Sequence, residues 1–108
     1  MSITVLLTLV WMHFVADFVM QSHYMSMNKS KDSRVLLLHV CVYSIPFFWF
    51  GWMYAVVNAT LHFMTDFVSS RITSYLWKKE EVHWFFVVIG VDQALHMTAL
   101  LLTYYWMI

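Results

Sequence analysis

The chain is poor in charge, cysteine, glycine and proline. Six Lys and Arg balance six Asp and Glu, so the formal charge is zero, and charged residues make up 11% of 108. A soluble domain usually carries about a quarter. A neutral chain offers no basic face to nucleic acid, and none is expected as a partner. The single cysteine, Cys41, cannot close an intrachain disulfide. There is no linker and no low-complexity segment, so a chain of this length reads as one domain, 1–108. No Lys or Arg precedes the first apolar run, which therefore reads as a permanent span rather than a cleavable signal.

What is abundant is apolar surface, at 62% of residues. A soluble domain this small could not hide it. The expected fold is all-α: a polytopic membrane protein with four transmembrane helices in a compact bundle. A bilayer core needs about 20 apolar residues per helix, which places spans near 3–26, 35–50, 53–77 and 82–107. Gly51 predicts a tight turn between the second and third, and Pro46 a kink or end to the second. Every Lys and Arg falls between Lys29 and Arg34 or between Arg71 and Lys79. The positive-inside rule makes that side cytoplasmic, which predicts a multi-pass protein of the inner (cytoplasmic) membrane with both termini outside. Trp and Tyr residues gather near the span ends, as an aromatic belt would.

Polar residues inside the spans are few and patterned. His13, Asp17 and Gln21 recur every four residues and share one helix face. The spacing returns at His62/Asp66 and, reversed, at Asp92/His96. Asp17, Asp66 and Asp92 lie 12, 12 and 13 residues from the nearest basic loop lysine, or roughly 18–20 Å along their helices. His13, His62 and His96 come out one turn deeper. The order reverses where the chain direction reverses, so a tier of carboxylates and a tier of imidazoles are predicted. His39 lies a turn or two nearer the cytoplasm.

Three carboxylates at one depth need protons, cations or hydrogen-bonded histidines. Asp and His at i and i+4 on facing helices suit a divalent metal, here manganese, iron or zinc, with two ions conceivable. The expected ligands are His13, Asp17, His62, Asp66, Asp92 and His96, with His39 a ligand or general base. Gln21, Asn28, Lys29 and Arg71 lie toward the cytoplasmic mouth, where they could orient an anionic substrate. Each piece has a plainer reading. A buried His/Asp pair can be an interhelical hydrogen bond, Arg71 can snorkel to the interface, and the many methionines are packing rather than a copper site.

These motifs resemble an uncharacterised prokaryotic and phage membrane family, domain of unknown function 3307. The resemblance rests on His13-Phe14-Val15-Ala16-Asp17-Phe18 with Gln21, on Asn28-Lys29, Leu37-Leu38-His39 and Asn58, on His62-Phe63 with Asp66 and Arg71, and on Asp92-Gln93 with His96. It implies a membrane location and supplies no activity. Function is therefore read from the site. The first reading is a metal-dependent intramembrane hydrolase acting on a lipid or phosphoester from the cytoplasmic side. The alternatives are a proton or ion conductor and a non-enzymatic interaction protein, its pairs merely structural, docking on a host membrane protein or on a second copy of itself.

Overall fold

Ser2 starts the first helix, its hydroxyl accepting the Val5 N–H, and α1 runs Ile3–Phe14 in the computed structural model, which describes residues 1–108. The next turn, Val15–Val19, is π-helical and closes with the Met20 N–H on the Val15 carbonyl at 2.9 Å. The chain then breaks at Gln21–Ser22. It restarts as α2, His23–Asn28, with the Ser22 hydroxyl accepting from the Met25 N–H. The single span expected over 3–26 is thus two helices. Counting apolar residues missed a serine that caps a new helix instead of continuing the old one.

Asp32 caps α3 (Ser33–Ser44), accepting from the Arg34 N–H at 2.9 Å. Hydrogen bonds from the Arg34 side chain and N–H also hold the Asp32 carboxyl below its ordinary value. Pro46 has no N–H to donate into an α-helical ladder, and the chain tightens there into a 3-10 segment, Ile45–Phe50. Gly51 follows at φ +115°, where a side chain would be strained. The turn predicted here is present. α4 (Trp52–Lys78, 27 residues) and α5 (Val82–Met107, 26 residues) form the most extensive helix pair.

Two segments, Ser33–Phe50 and Val82–Met107, are long and apolar enough to cross a membrane. Ile3–Val19 is apolar but shorter. α4 has the length, yet Asn58, His62, Asp66, Ser69, Ser70 and Arg71 leave it too polar to pass by composition. The two apolar helices suggest membrane association.

Burial is inverted relative to a water-soluble domain. Only 20 of 108 residues are buried, and ten of those are polar or ionisable. Large apolar side chains cover the outside, with Trp49 84% and Trp106 75% exposed. Seven of the ten buried apolar residues form one cluster: Leu9, Ala16, Tyr43, Phe47, Tyr54, Ala55 and Leu100. It fills the half of the bundle toward Gly51. The ionisable residues fill the half toward the basic loops, where the Ser74 hydroxyl meets that of Ser30 at 2.8 Å and Arg71 reaches Ser33.

Candidate metal centre

Three chain segments deliver the centre. The π-helical turn carries Asp17, α3 carries His39, and α4 carries His62 and Asp66 one turn apart. A side chain on a helix leans toward the N-terminus, so Asp66 leans back onto His62 and His96 back onto Asp92. His62 Nε2 lies 3.1 Å from Asp66 Oδ2, and His96 Nε2 lies 3.1 Å from Asp92 Oδ2. The two expected tiers therefore merge into one cluster.

Four atoms in it converge: Asp17 Oδ1, His39 Nε2, His62 Nε2 and Asp66 Oδ2. His39 Nε2 is 3.1 Å from Asp17 Oδ1, 3.2 Å from His62 Nε2 and 3.4 Å from Asp66 Oδ2. His62 Nε2 is 3.5 Å from Asp17 Oδ1. With the His62–Asp66 contact these are five of the six separations among the four ligand atoms, and the group's ligand atoms all lie within 4.8 Å of one another. Ligands about 2.0–2.1 Å from a tetrahedral ion stand about 3.3–3.4 Å from one another. The observed separations match that size. All four residues are at most 4% exposed. The set is closed, since every corner is a protein atom.

A second group, Asp17, Asp92 and His96, shares Asp17 and also brings its ligand atoms within 4.8 Å of one another. His96 Nε2 in addition lies 3.0 Å from Asp66 Oδ1, which ties the two groups together. The Ser69 hydroxyl donates a short hydrogen bond to Asp92 Oδ1. The Gln93 amide donates to Asp17 Oδ2 at 3.3 Å and to Asp92 Oδ2 at 3.1 Å.

His13, expected as a ligand, stands outside both groups. The Tyr43 hydroxyl is 2.9 Å from its Nδ1, and Gln93 Oε1 is 2.6 Å from its Nε2. Both ring nitrogens are thus engaged, and its Nε2 is 3.8 Å from the nearest Asp17 oxygen. The cause is the π-helical turn. It winds more residues into each turn than an α-helix does, so Asp17 is rotated off the His13 face toward α3 and α4. A consistent proton arrangement runs from Tyr43 O–H to His13 Nδ1, then from His13 Nε2–H to Gln93 Oε1, then from the Gln93 amide to the carboxylates. His39 turns its Nε2 into this group of four atoms. Its Nδ1 and that of His62 are buried without partners.

The residues expected at the mouth divide. Gln21 and Lys29 line a cavity of about 580 Å³ whose floor is Asp17, Asp66, Asp92 and Gln93. Lys29 Nζ lies 3.4 Å from Asp66 Oδ2. Asn28 does not line it, and its side chain caps the Tyr24 carbonyl instead. Arg71 also lies outside, over the Phe67 ring at 3.7 Å and bonded to the Phe67 carbonyl. The sequence reading passed over Gln93 and Ser69 as site residues. A usable signal for Ser69 was the run Asp66, Ser69, Ser70, Thr73 and Ser74, a polar stripe at helical spacing continuing past Asp66.

Fold and centre together define a compact all-helical protein with a greasy exterior and a buried His/Asp cluster of metal-ligating type. The chain belongs to the family described as protein of unknown function (DUF3307), whose pattern it matches over residues 5–108. No curated protein and no solved structure matches it.

Proposed function

We propose that this protein is an integral membrane metalloprotein that holds a divalent ion, zinc by the size and donor set of the site, on Asp17, His39, His62 and Asp66. The convergence of those four atoms, with five separations of 3.1–3.5 Å, carries the reading. Charge supports this one ion: three carboxylates, the Lys29 ammonium and one dication cancel, whereas carboxylates left unpaired in low dielectric are costly, and a second dication would be balanced by an anionic substrate. Neighbouring side chains hold two of the four in place. Tyr43 stacks on the His62 ring at 3.9 Å, and Gln93 braces Asp17.

The membrane placement is supported by the inverted burial and by a long dimension of 42 Å, close to a bilayer with its headgroups. Trp49, Trp52 and Trp106 at one end and Trp77 and Trp84 at the other are all exposed, as interface residues would be. In this reading all four helical passes span. The polar face of α4 is tolerated because it turns inward, and the basic end faces the cytoplasm across the inner membrane.

The activity that fits is hydrolysis of a phosphoester at the cavity floor. Asp17, Asp92 and His96 would hold a second ion, which would supply Lewis acidity to the water and the phosphate. Asp92 Oδ1, the oxygen turned away from His96, takes the proton as a water oxygen bonds to phosphorus and the ester P–O bond breaks. The departing alkoxide then recovers that proton. A second reading has one observation of its own. Lys29 already gives Asp66 a cation at 3.4 Å, which favours a non-enzymatic interaction protein whose pairs fix helix register.

Elemental mass spectrometry on detergent-purified protein tests the centre. Near-stoichiometric zinc is expected, and its loss in a His62→Ala/Asp66→Ala variant. Folded protein that stays metal-free after incubation with zinc, manganese and iron would overturn the reading in favour of the scaffold. Asp92→Asn tests the chemistry: it should keep the first ion and abolish metal-dependent phosphate release.

A further inference from the structure

The cavity over the centre is amphipathic in a directional way. Its α4 wall is hydroxyl-rich, with Ser69, Ser70, Thr73 and Ser74, and its rim carries Lys29, Lys31 and Lys78. Phe18 and Phe86 also line it and are 49% and 59% exposed. These two rings form an aromatic lip between the cavity and the apolar exterior. Two polar atoms of the lining, Ser70 Oγ and Gln21 Oε1, are buried with no hydrogen-bond partner, and Ser70 is only 6% exposed. A buried polar group left unsatisfied costs stability. Such groups in a cavity of this size are met by a ligand or by ordered water.

We infer that the cavity binds an anionic phospholipid headgroup, with the phosphate between Lys29, the α4 hydroxyls and the metal centre, and the acyl chains leaving past Phe18 and Phe86. This deepens the hydrolase reading by naming its substrate class, and it rests on that reading for the metal. Ser69, Thr73 and Ser74 already donate to Asp92, the Ser70 carbonyl and Ser30, so the free donors are the Ser70 hydroxyl and the three ammonium groups, which still outnumber the two oxygens of a carboxylate. A phosphate, with its additional oxygens, uses them better. The volume of about 580 Å³ takes a headgroup and glycerol, while the chains need the apolar outer surface that the lip adjoins. Lys29 links centre and cavity. A dication on Asp66 repels the ammonium 3.4 Å away, and a flexible four-carbon stem lets that ammonium swing into the cavity it already lines.

The test measures binding and thermal stability of the purified protein in neutral detergent, with metal content determined on the same samples. The probes are dihexanoyl phosphatidic acid, dihexanoyl phosphatidylcholine, dihexanoylglycerol, glycerol 3-phosphate and inorganic phosphate. Phosphatidic acid should bind at least about tenfold more tightly than any of the others, and Lys29→Gln should weaken it about tenfold. Because Lys29 also meets Asp66, the exposed pair Lys31→Gln/Lys78→Gln serves as the second variant, with weakening of the same sign. Equal binding of inorganic phosphate would show a site for the free anion, and equal binding of phosphatidylcholine or dihexanoylglycerol a site for tails alone. Either overturns the inference, as does no binding. Metal-loaded protein that ignores phosphatidic acid refutes the lipid and leaves the metal centre standing. Selective lipid binding by metal-free protein keeps the headgroup site and removes the hydrolase.

Discussion

The two halves of the bundle solve the same burial problem in opposite ways. Toward Gly51 the interior is aromatic and aliphatic, and its few polar atoms are satisfied. Tyr54 O–H donates to the Leu100 carbonyl at 2.8 Å, and the Asn58 amide donates to the Tyr54 carbonyl and to Thr103. Toward the basic loops the interior is ionisable and under-satisfied. Gln21, His39, His62 and Ser70 each keep a buried atom without a partner. A half that only holds helices together gains nothing from such groups, because each costs free energy. The contrast separates a structural half from a half built to receive something.

The comparison breaks hardest at Asp66. Its carboxylate meets His39, His62, His96 and Lys29, so Asp66→Ala leaves several buried groups uncompensated. We expect about 3–5 kcal/mol of destabilisation, together with complete loss of bound metal, read by detergent melts and elemental analysis. Leu100→Ala in the other half should cost less, about 2 kcal/mol. That is the low end for a buried leucine, since lipid tails solvate an apolar side chain nearly as well as a core does. Its metal content should stay unchanged. Metal lost from the Leu100→Ala variant would mean that the halves are not separable.

Much of this was legible in the sequence, and for identifiable reasons. Apolar runs, two basic loops and Gly51 mark out where the helices turn back on themselves. Pairs at i and i+4 put His62 with Asp66 and His96 with Asp92, because helix geometry alone brings such side chains together. The π-helical turn was not legible, since residues 15–19 are as apolar and helix-compatible as their neighbours. Its effect is to turn Asp17 toward His39, which leaves His13 outside the converging group and places His39, a ligand or base by sequence, within it. Depth counted at a uniform rise per residue was blind to that rotation. Gln93 escaped notice because its role depends on facing His13 across the bundle, and no local pattern records that. The inward face of α4 was visible as residues but not as a direction. Composition alone therefore credits two spanning segments rather than four.

Acid offers a milder way to separate the halves. The ligating imidazoles must be neutral to hold an ion, so lowering the pH should expel the metal by protonating them. The Leu9–Phe47–Leu100 cluster contains no such group. Its melting should be insensitive to pH over the range in which metal is released at equilibrium dialysis. Unfolding of the whole chain in step with metal loss would instead make the ion a condition of the fold.

The finest division uses two hydroxyls of the apolar cluster, one of which reaches into the ionisable half. Tyr43→Phe and Tyr54→Phe remove the same hydroxyl, and each should cost about 1 kcal/mol of stability. Their effects on the metal should differ. Tyr43 O–H fixes the proton of His13, which orients Gln93, which in turn donates to Asp17. The Tyr43→Phe ring still stacks on His62, so the ligand loses its outer support and not its packing. Such outer partners alter affinity about 10–100-fold, and a shift toward the lower end is expected in competition with a zinc chelator. Tyr54→Phe touches only the Leu100 carbonyl, which Thr103 also contacts at 3.3 Å, so it should leave the affinity unchanged. Equal shifts in the two variants would mean that the hydroxyls matter only through overall stability, and that the path through His13 and Gln93 carries nothing to the metal.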